Sequence, residues 1–456
     1  MDLVSFRTPG LGDQTHLLVH EGKGVLVDPQ RDIDRFLAAA AERDVELRFV
    51  LETHLHNDYF SGGQQAALRT GAELVLPAAA APAYPHTPAF HLEDIKADGL
   101  TLRPIHTPGH TPEHTSYLIL IDGEPVALFS GGSLLVASAG RPDLLGPERA
   151  RSLARLQYGS LQRLAGLPRH VGLYPTHGEG SFCTATGAGR HTSTIGDELD
   201  TNPLLAVGDP ERFADRLLAA PLPIPSFYRY MGPANTLGVP PMPPTTAPEL
   251  PVTAVPDDAQ VVDLRPRAAQ AAGMLPGSVG VELDNDFGSW VGWLLPYQSP
   301  IVLVAAPDQD VTDAITQLAQ IGIDTVVGVV RDLGDAATVR YGLFDLPEFR
   351  QRLTDPAVQV LDVRMPHERE AARLDGAVER FLPDLIAQGI PAELDVDRPV
   401  LVACASGRRA AIAATLLARE GYQTSVLTGA GVADLVTADP VNADLVTGDP
   451  VNAARR

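Results

Sequence analysis

Through the first 245 residues the apolar positions come in short runs separated by Gly, Pro and polar clusters: 17–19, 25–27, 47–51, 73–76, 100–105, 116–121 and 126–129. Runs this short, rich in β-branched and aliphatic side chains, predict strands. Glu21-Gly-Lys-Gly24 reads as a hairpin turn between the first two. Helical patterning over 33–43, and again from the two glycines at 62 and 63 to about Arg69, predicts helices on either side of the 47–51 run. The expectation for this part is mixed α/β with many strands.

The 47–51 run leads into Leu51-Glu-Thr-His-Leu-His-Asn-Asp-Tyr-Phe-Ser-Gly-Gly63, so His54, His56 and Asp58 fall on a loop between a buried strand and a helix. Such a loop aims several side chains inward while the flanking elements hold it rigid. Imidazole and carboxylate are ligands for zinc or iron. Three more stretches end strands in the same way: His106-Thr-Pro-Gly-His110, Phe129-Ser-Gly-Gly-Ser133 and Tyr174-Pro-Thr-His-Gly178. Cys183 follows His177 by six residues. It reads either as a thiol presented to the same site or as a small buried hydrophobe.

Residues 238–256 are proline-rich and predict a semi-extended linker. Beyond them the chain repeats at an offset of 99: Asp263-Leu-Arg265 aligns with Asp362-Val-Arg364, Gly277 with Gly376, Pro300 with Pro399 and Gly322 with Gly421. In each copy an apolar strand (301–305; 400–403) enters a short loop and then a helical pattern (311–321; 410–421). The second loop is Cys404-Ala-Ser-Gly-Arg-Arg409. A loop over a helix N-terminus aims backbone N–H groups at a sulfur, and Arg408 and Arg409 favour the thiolate there. The first copy carries Ala305-Ala-Pro-Asp-Gln-Asp310 instead, with neither nucleophile nor cation. The domains expected are 1–245, 257–350, 355–436 and, at 437–456, a duplicated tail.

Length and charge narrow the partners. At 456 residues the chain holds several domains, and a net charge of -22 opposes nucleic acid or an anionic membrane surface as a partner. No secretory leader or membrane-length apolar run is evident, so a cytoplasmic, soluble protein with its two cysteines reduced is expected; a homo-oligomer is compatible with the sequence.

Taken together, the His-bearing motifs resemble the metallo-β-lactamase fold, an αββα sandwich with its site at one edge. That family's metal-ligand pattern matches at His54, His56, Asp58, His110 and His177. It departs at Tyr59, where the family has His, and at Gly132, where it has Asp. These losses disfavour the binuclear site of glyoxalase II-like thioester hydrolases. The sequence is more similar to the persulfide dioxygenase branch, which holds one ferrous iron. Gly140-Arg-Pro-Asp143, Ser193-Thr-Ile-Gly196, Asn202-Pro-Leu-Leu205 and Phe227-Tyr-Arg-Tyr-Met231 with Asn235 resemble the subgroup of that branch fused to rhodanese domains. The Cys404 loop, with Asp362-Val-Arg364 and Gly376-Ala377, resembles a rhodanese active loop.

The resemblance implies an αββα sandwich followed by two doubly wound rhodanese-like α/β domains, the first inactive. It also implies one weakly held Fe(II) per chain, with zinc as the alternative occupant, and Cys404, Arg408, Arg409 and Cys183 as catalytic residues. Its small-molecule partners would be a low-molecular-weight thiol persulfide and sulfite or thiosulfate, in sulfur metabolism and hydrogen sulfide detoxification. A thioester hydrolase and a non-catalytic sulfur-relay or docking protein remain the alternatives. A carboxylate restored by Gly132→Asp is expected to tighten the metal.

Overall fold

The computed structural model describes residues 1–178, 180–183, 189–219 and 222–437. It divides into two compact units, Met1–Thr245 with Asp313–Asp324, and Thr246–Thr312 with Thr325–Arg456.

In the first unit one six-stranded sheet runs in chain order through Asp2–Thr8, Asp13–His20, Lys23–Val27, Glu46–Leu51, Glu73–Pro77 and Thr87–Ala89. The other is ordered Ser193–Thr194, Gly172–Pro175, Glu124–Gly131, Thr115–Ile121, Leu100–His106 and Ile95–Ala97. The strands of the first sheet read as near-continuous apolar runs because both faces are covered. Along Lys23–Val27, for example, Val25 and Val27 face the second sheet while Leu26 faces the helices. Phe49 and Leu51 meet Leu102, Ile119 and Phe129 between the sheets. Outside them, Phe36 and Ala66 of helices Asp34–Ala41 and Gly63–Thr70 cover the first sheet, and Ala154, Leu161 and Phe213 of Pro147–Ala165 and Pro210–Leu217 cover the second. The order of layers is therefore αββα. Each fully buried phenylalanine contributes roughly 1.5–3 kcal/mol of transfer free energy.

Asp313–Asp324 packs with this unit although its chain neighbours belong to the other. Buried Arg31 holds it, with a bidentate pair on Asp324 at 2.6 and 2.8 Å and its remaining donors on the Pro240, Pro241 and Ala319 carbonyls.

The second unit contains two wholly parallel sheets. One is ordered Val279–Gly280, Gln260–Asp263, Ile301–Val304, Val326–Val330. The other is ordered Gly342–Phe344, Thr424–Leu427, Val400–Ala403, Gln359–Asp362, Val378–Glu379. Four element pairs stand 99 residues apart: Gln260–Asp263 with Gln359–Asp362, Arg267–Ala272 with Pro366–Ala371, Val279–Gly280 with Val378–Glu379, and Ile301–Val304 with Val400–Ala403.

Two boundaries differ from the sequence expectation. Strand Gly342–Phe344 pairs with Thr424–Leu427, so it belongs to the second copy's sheet and not to a first copy ending at 350. The end of the 238–256 linker is also structured: Leu250 donates to the Val329 carbonyl at 2.8 Å, Val329 donates to the Pro248 carbonyl at 2.9 Å, and Leu250 packs into the core of the four-stranded sheet. A proline-rich segment with one isolated bridge, Glu249 to Val329, is tolerated there because a sheet edge needs few donors. The duplicated tail, 437–456, lies beyond its first residue outside the described residues. Among the described residues no helix is long and apolar enough to cross a membrane.

Candidate metal centre and cysteine loop

Strands Lys23–Val27, Glu46–Leu51, Leu100–His106, Glu124–Gly131 and Gly172–Pro175 deliver the segments that follow them to one edge of the sandwich, as strand ends in α/β folds commonly do. There His54, His110 and His177 present ligand atoms within 4.8 Å of one another, all buried. Their tautomers follow from what holds each ring from behind. The Thr53 hydroxyl donates to Asp28 at 2.7 Å, so it accepts from His54 Nδ1 at 2.9 Å. His110 Nδ1 donates to the Arg141 carbonyl at 2.9 Å, and His177 Nδ1 donates to Asp13 at 2.7 Å.

All three Nε2 lone pairs therefore turn inward, and those of His54 and His177 stand 3.3 Å apart. Two nitrogens about 2.1 Å from one tetrahedral ion lie roughly 3.4 Å apart. Facing lone pairs at that distance repel unless a cation lies between them. Burial, then neighbouring histidines, holds His54 and His110 well below the ordinary imidazole range, so both are neutral and ready to ligate.

A second group is His56, Asp58 and His177. His56 is anchored through Nε2, 3.1 Å from Glu52, 3.3 Å from Asp28 and 3.0 Å from the Tyr59 hydroxyl. Its Nδ1 and the Oδ1 of Asp58 are buried without a hydrogen-bond partner. Burial, with Asp13 beside it, pushes the Asp58 carboxyl up to about 7. Donor chemistry, tautomers and spare atoms all fit a divalent metal.

Tyr59 does not reach toward this group as a histidine ligand would. Its ring stacks on His56 at 4.3 Å and its hydroxyl also donates to the Asp28 carbonyl at 3.3 Å. Gly132 faces the His110 ring so closely that a Cβ there would lie 2.3 Å from Cδ2. Gly132→Asp would therefore displace a ligand ring before it supplied a carboxylate, contrary to the sequence expectation. Cys183 is buried, its thiol 3.4 Å from Asp58 and 3.9 Å from the Tyr228 hydroxyl. Burial, then Asp58, pushes that thiol well above its ordinary value, so it is a neutral donor to the carboxylate.

Four contributors escaped the sequence reading: Asp13, Asp28, Glu52 and His114. His114 stacks on His54 at 5.0 Å, donates through Nδ1 to Thr107 at 2.8 Å and accepts the Gly132 N–H at 2.9 Å. Both its nitrogens are committed, so it props His54 without ligating. The four-residue spacing from His110 was its only signal.

In the second unit Cys404 follows strand Val400–Ala403 and precedes helix Arg408–Arg419. It is buried, and the Gly407 N–H donates to its sulfur at 3.1 Å. Gly407 adopts φ +81°, where an added Cβ would also meet the Leu427 carbonyl at 2.5 Å, so the loop requires glycine. Neither arginine turns to the sulfur for its partner. Arg409 makes a bidentate pair with Glu368 at 2.5 and 2.6 Å, and Arg408 pairs with Asp284 at 3.0 Å and Asp286 at 3.2 Å.

The model of the metallo-beta-lactamase superfamily matches residues 10–177, and that of the rhodanese-like domain matches residues 345–432. A hydroxyacylglutathione hydrolase of Acidiphilium cryptum is 32% identical over 234 residues, 47% of this chain and 94% of that protein. The chain belongs to the metallo-beta-lactamase superfamily. The hydroxyacylglutathione hydrolase of Methylobacillus flagellatus is 34% identical over 163 residues, 35% of this chain, and the chain spans 60% of that relative's length. A solved metallo-beta-lactamase from Staphylococcus aureus superposes with a TM-score of 0.66 at 27% identity, covering 73% of this chain and 99% of that one. That share of the chain exceeds the first unit alone.

For a member of the metallo-beta-lactamase superfamily, the buried His/Asp cluster at the sheet edge implies a bound divalent metal. The rhodanese-like domain contains the Cys404 loop.

Proposed function

We propose that this chain acts in sulfane-sulfur metabolism, oxidising a low-molecular-weight thiol persulfide at one iron and passing sulfur through Cys404. The observation that carries the first half is the sharing of His177. Two of the three candidate ligand groups contain it, and with Nδ1 committed to Asp13 it has one nitrogen to give; the third group, Asp28, Glu52 and His56, has its carboxylates taken by hydrogen bonds from Thr53, Thr176 and Ser61. Two ions with three ligands each cannot both draw on that nitrogen, which favours a single ion held by His54, His110 and His177. Ferrous iron held by three neutral ligands supplies open positions for sulfur and oxygen. The balanced reaction is RSSH + O2 + H2O → RSH + SO3(2−) + 2 H+, with the sulfane sulfur losing four electrons to dioxygen.

The chain's own residues do the rest. Thr53, the Arg141 carbonyl and Asp13 fix the three rings, and Asp58 with the neutral Cys183 thiol provides a proton-holding pair beside them. At Cys404 the thiolate attacks the outer sulfur of thiosulfate, forming a cysteine persulfide and releasing sulfite; the reverse makes thiosulfate. The Gly407 N–H stabilises the sulfur in either charge state.

The test is metal content of the full chain purified without oxygen, with oxygen uptake on adding glutathione persulfide. One iron per chain and persulfide-dependent uptake are expected. Gly132→Asp should lower the metal content by moving His110. The names of the relatives favour a second reading, thioester hydrolysis. Two zinc ions per chain with cleavage of a glutathione thioester and no oxygen uptake would replace our reading with that one.

A further inference from the structure

The acidic side chains of the first copy of the repeat reach the rim of the second copy's cysteine loop, and sulfur chemistry at Cys404 has so far made no use of them. Asp284 and Asp286 hold Arg408, the first residue of the helix behind the loop, at 3.0 and 3.2 Å. Arg267 pairs with Glu282 at 2.7 Å and stands 3.5 Å from the Ser406 carbonyl within the loop. The two copies are pinned together here by the Gly280 N–H on the buried Thr415 hydroxyl at 3.0 Å. Between them lies a small cleft lined by Glu282, Asp284, Trp290, Arg408 and Ile412 among others.

The charge count at this rim decides its selectivity. Three cations, Arg267, Arg408 and Arg409, face four carboxylates, Glu282, Asp284, Asp286 and Glu368, and every cation is ion-paired. A dianion approaching Cys404 meets a net negative rim and gains Arg408 only if that side chain leaves two aspartates. A neutral persulfide carrier meets neither cost, and a singly charged one meets about half of the repulsion.

We propose that Asp284 and Asp286 make the first copy a charge-selectivity element for Cys404, disfavouring dianionic sulfur donors by holding Arg408. This rests on the reading of Cys404 as a sulfur carrier. Arg408 and Asp286 are both more than one-third exposed, so solvent screening keeps the effect to a few-fold.

The experiment uses the full chain with Asp284→Asn and Asp286→Asn together, assayed for transfer from thiosulfate to cyanide. KM for thiosulfate should fall roughly three- to tenfold with kcat within about twofold. Adding Arg408→Ala should remove most of that gain, while Arg408→Ala alone, which leaves Asp284 and Asp286 without their cation, should raise KM. In the unaltered protein KM should fall or stay level as salt rises, because screening relieves a repulsive rim. Alkylation of Cys404, read on its own peptide by mass, gives a readout independent of turnover. The rate ratio of anionic iodoacetate to neutral iodoacetamide should rise several-fold in the double variant.

An unchanged KM and alkylation ratio would overturn the proposal. So would a KM that rises with salt in the unaltered protein, or an Arg408→Ala effect equal in both backgrounds. Absent sulfur transfer with the expected shift in alkylation ratio would instead remove the sulfur-carrier reading and leave the charge selectivity standing.

Discussion

The two copies of the 99-residue repeat share a frame and differ in one loop. In each, an aspartate at the end of a strand, Gln260–Asp263 or Gln359–Asp362, clamps an arginine two residues on: Asp263 with Arg265 at 2.6 Å and Asp362 with Arg364 at 2.7 Å. Both arginines reach onward to equivalent carbonyls, Gly273 at 2.7 Å and Ala372 at 2.5 Å. At the loop the likeness ends. The second copy turns a glycine N–H onto Cys404. The first fills the same loop with its own polar atoms. Gln309 accepts from the Ala306 N–H at 3.0 Å, and Arg331 donates to the Ala306 and Gln309 carbonyls at 2.7 and 2.9 Å. The scaffold is thus indifferent to chemistry, and the first copy's loop turns its polar atoms on itself where the second turns an N–H on a sulfur.

The sharpest way to break this contrast is Cys404→Ser. Thiosulfate-to-cyanide transfer should fall by about 10³-fold or more, because an alcohol is not ionised in that cradle. The thermal midpoint should move little, since Ser is nearly isosteric. Retained activity would place the carrier sulfur elsewhere.

Next in size is the shared clamp. Removing one partner of a buried pair leaves the other charge uncompensated, at about 3–5 kcal/mol. Arg364→Ala should destabilise by that order, and Arg265→Ala by somewhat less, since Arg265 is 15% exposed against 4% for Arg364. Denaturant unfolding measures both. A negligible cost in the first copy alone would mean that its frame is not the equivalent of the second.

How much of this was legible before the structure depended on sequence distance. The His54 loop, the His110 and His177 turns, and the Cys404 loop are each contained within a few residues, and a constant 99-residue offset betrayed the repeat. Asp13 and Asp28 were not visible as site residues because they reach the metal centre from the other strands of a folded sheet, 164 and 25 residues in sequence from the groups they hold. The pairing of Arg408 with Asp284 and Asp286 was hidden for the same reason: a basic pair beside a cysteine reads as a thiolate stabiliser until its partners are seen. The strand at 342–344 was assigned to the wrong copy because a repeat offset shows similarity without showing which sheet a boundary segment joins.

The smallest expected effect is also the closest test of the contrast. Ala305 occupies the position of Cys404 and is fully buried, so Ala305→Cys adds one sulfur atom where the second copy carries its nucleophile. Placed in a Cys404→Ser background, it should yield no measurable sulfur transfer, remaining roughly a hundredfold or more below the unaltered protein. Three features of the loop withhold the activation. Asp308 stands where Gly407 does and is not among the residues with left-handed backbone, so the turn that brings an N–H onto the sulfur does not form. Arg331, the nearest cation, is spent on loop carbonyls. Asp310, in the place of Arg409, is held below the usual carboxylate range by hydrogen bonds from Thr312, so at neutral pH it is an anion facing any incoming sulfur anion. The measurement is thiocyanate production, together with the rate of iodoacetamide alkylation at position 305. Transfer within tenfold of the unaltered protein would show that a cysteine on this frame suffices by itself. If instead activity appears only after Asp308→Gly and Asp310→Arg are added, the loop, and not the frame, is what separates the two copies.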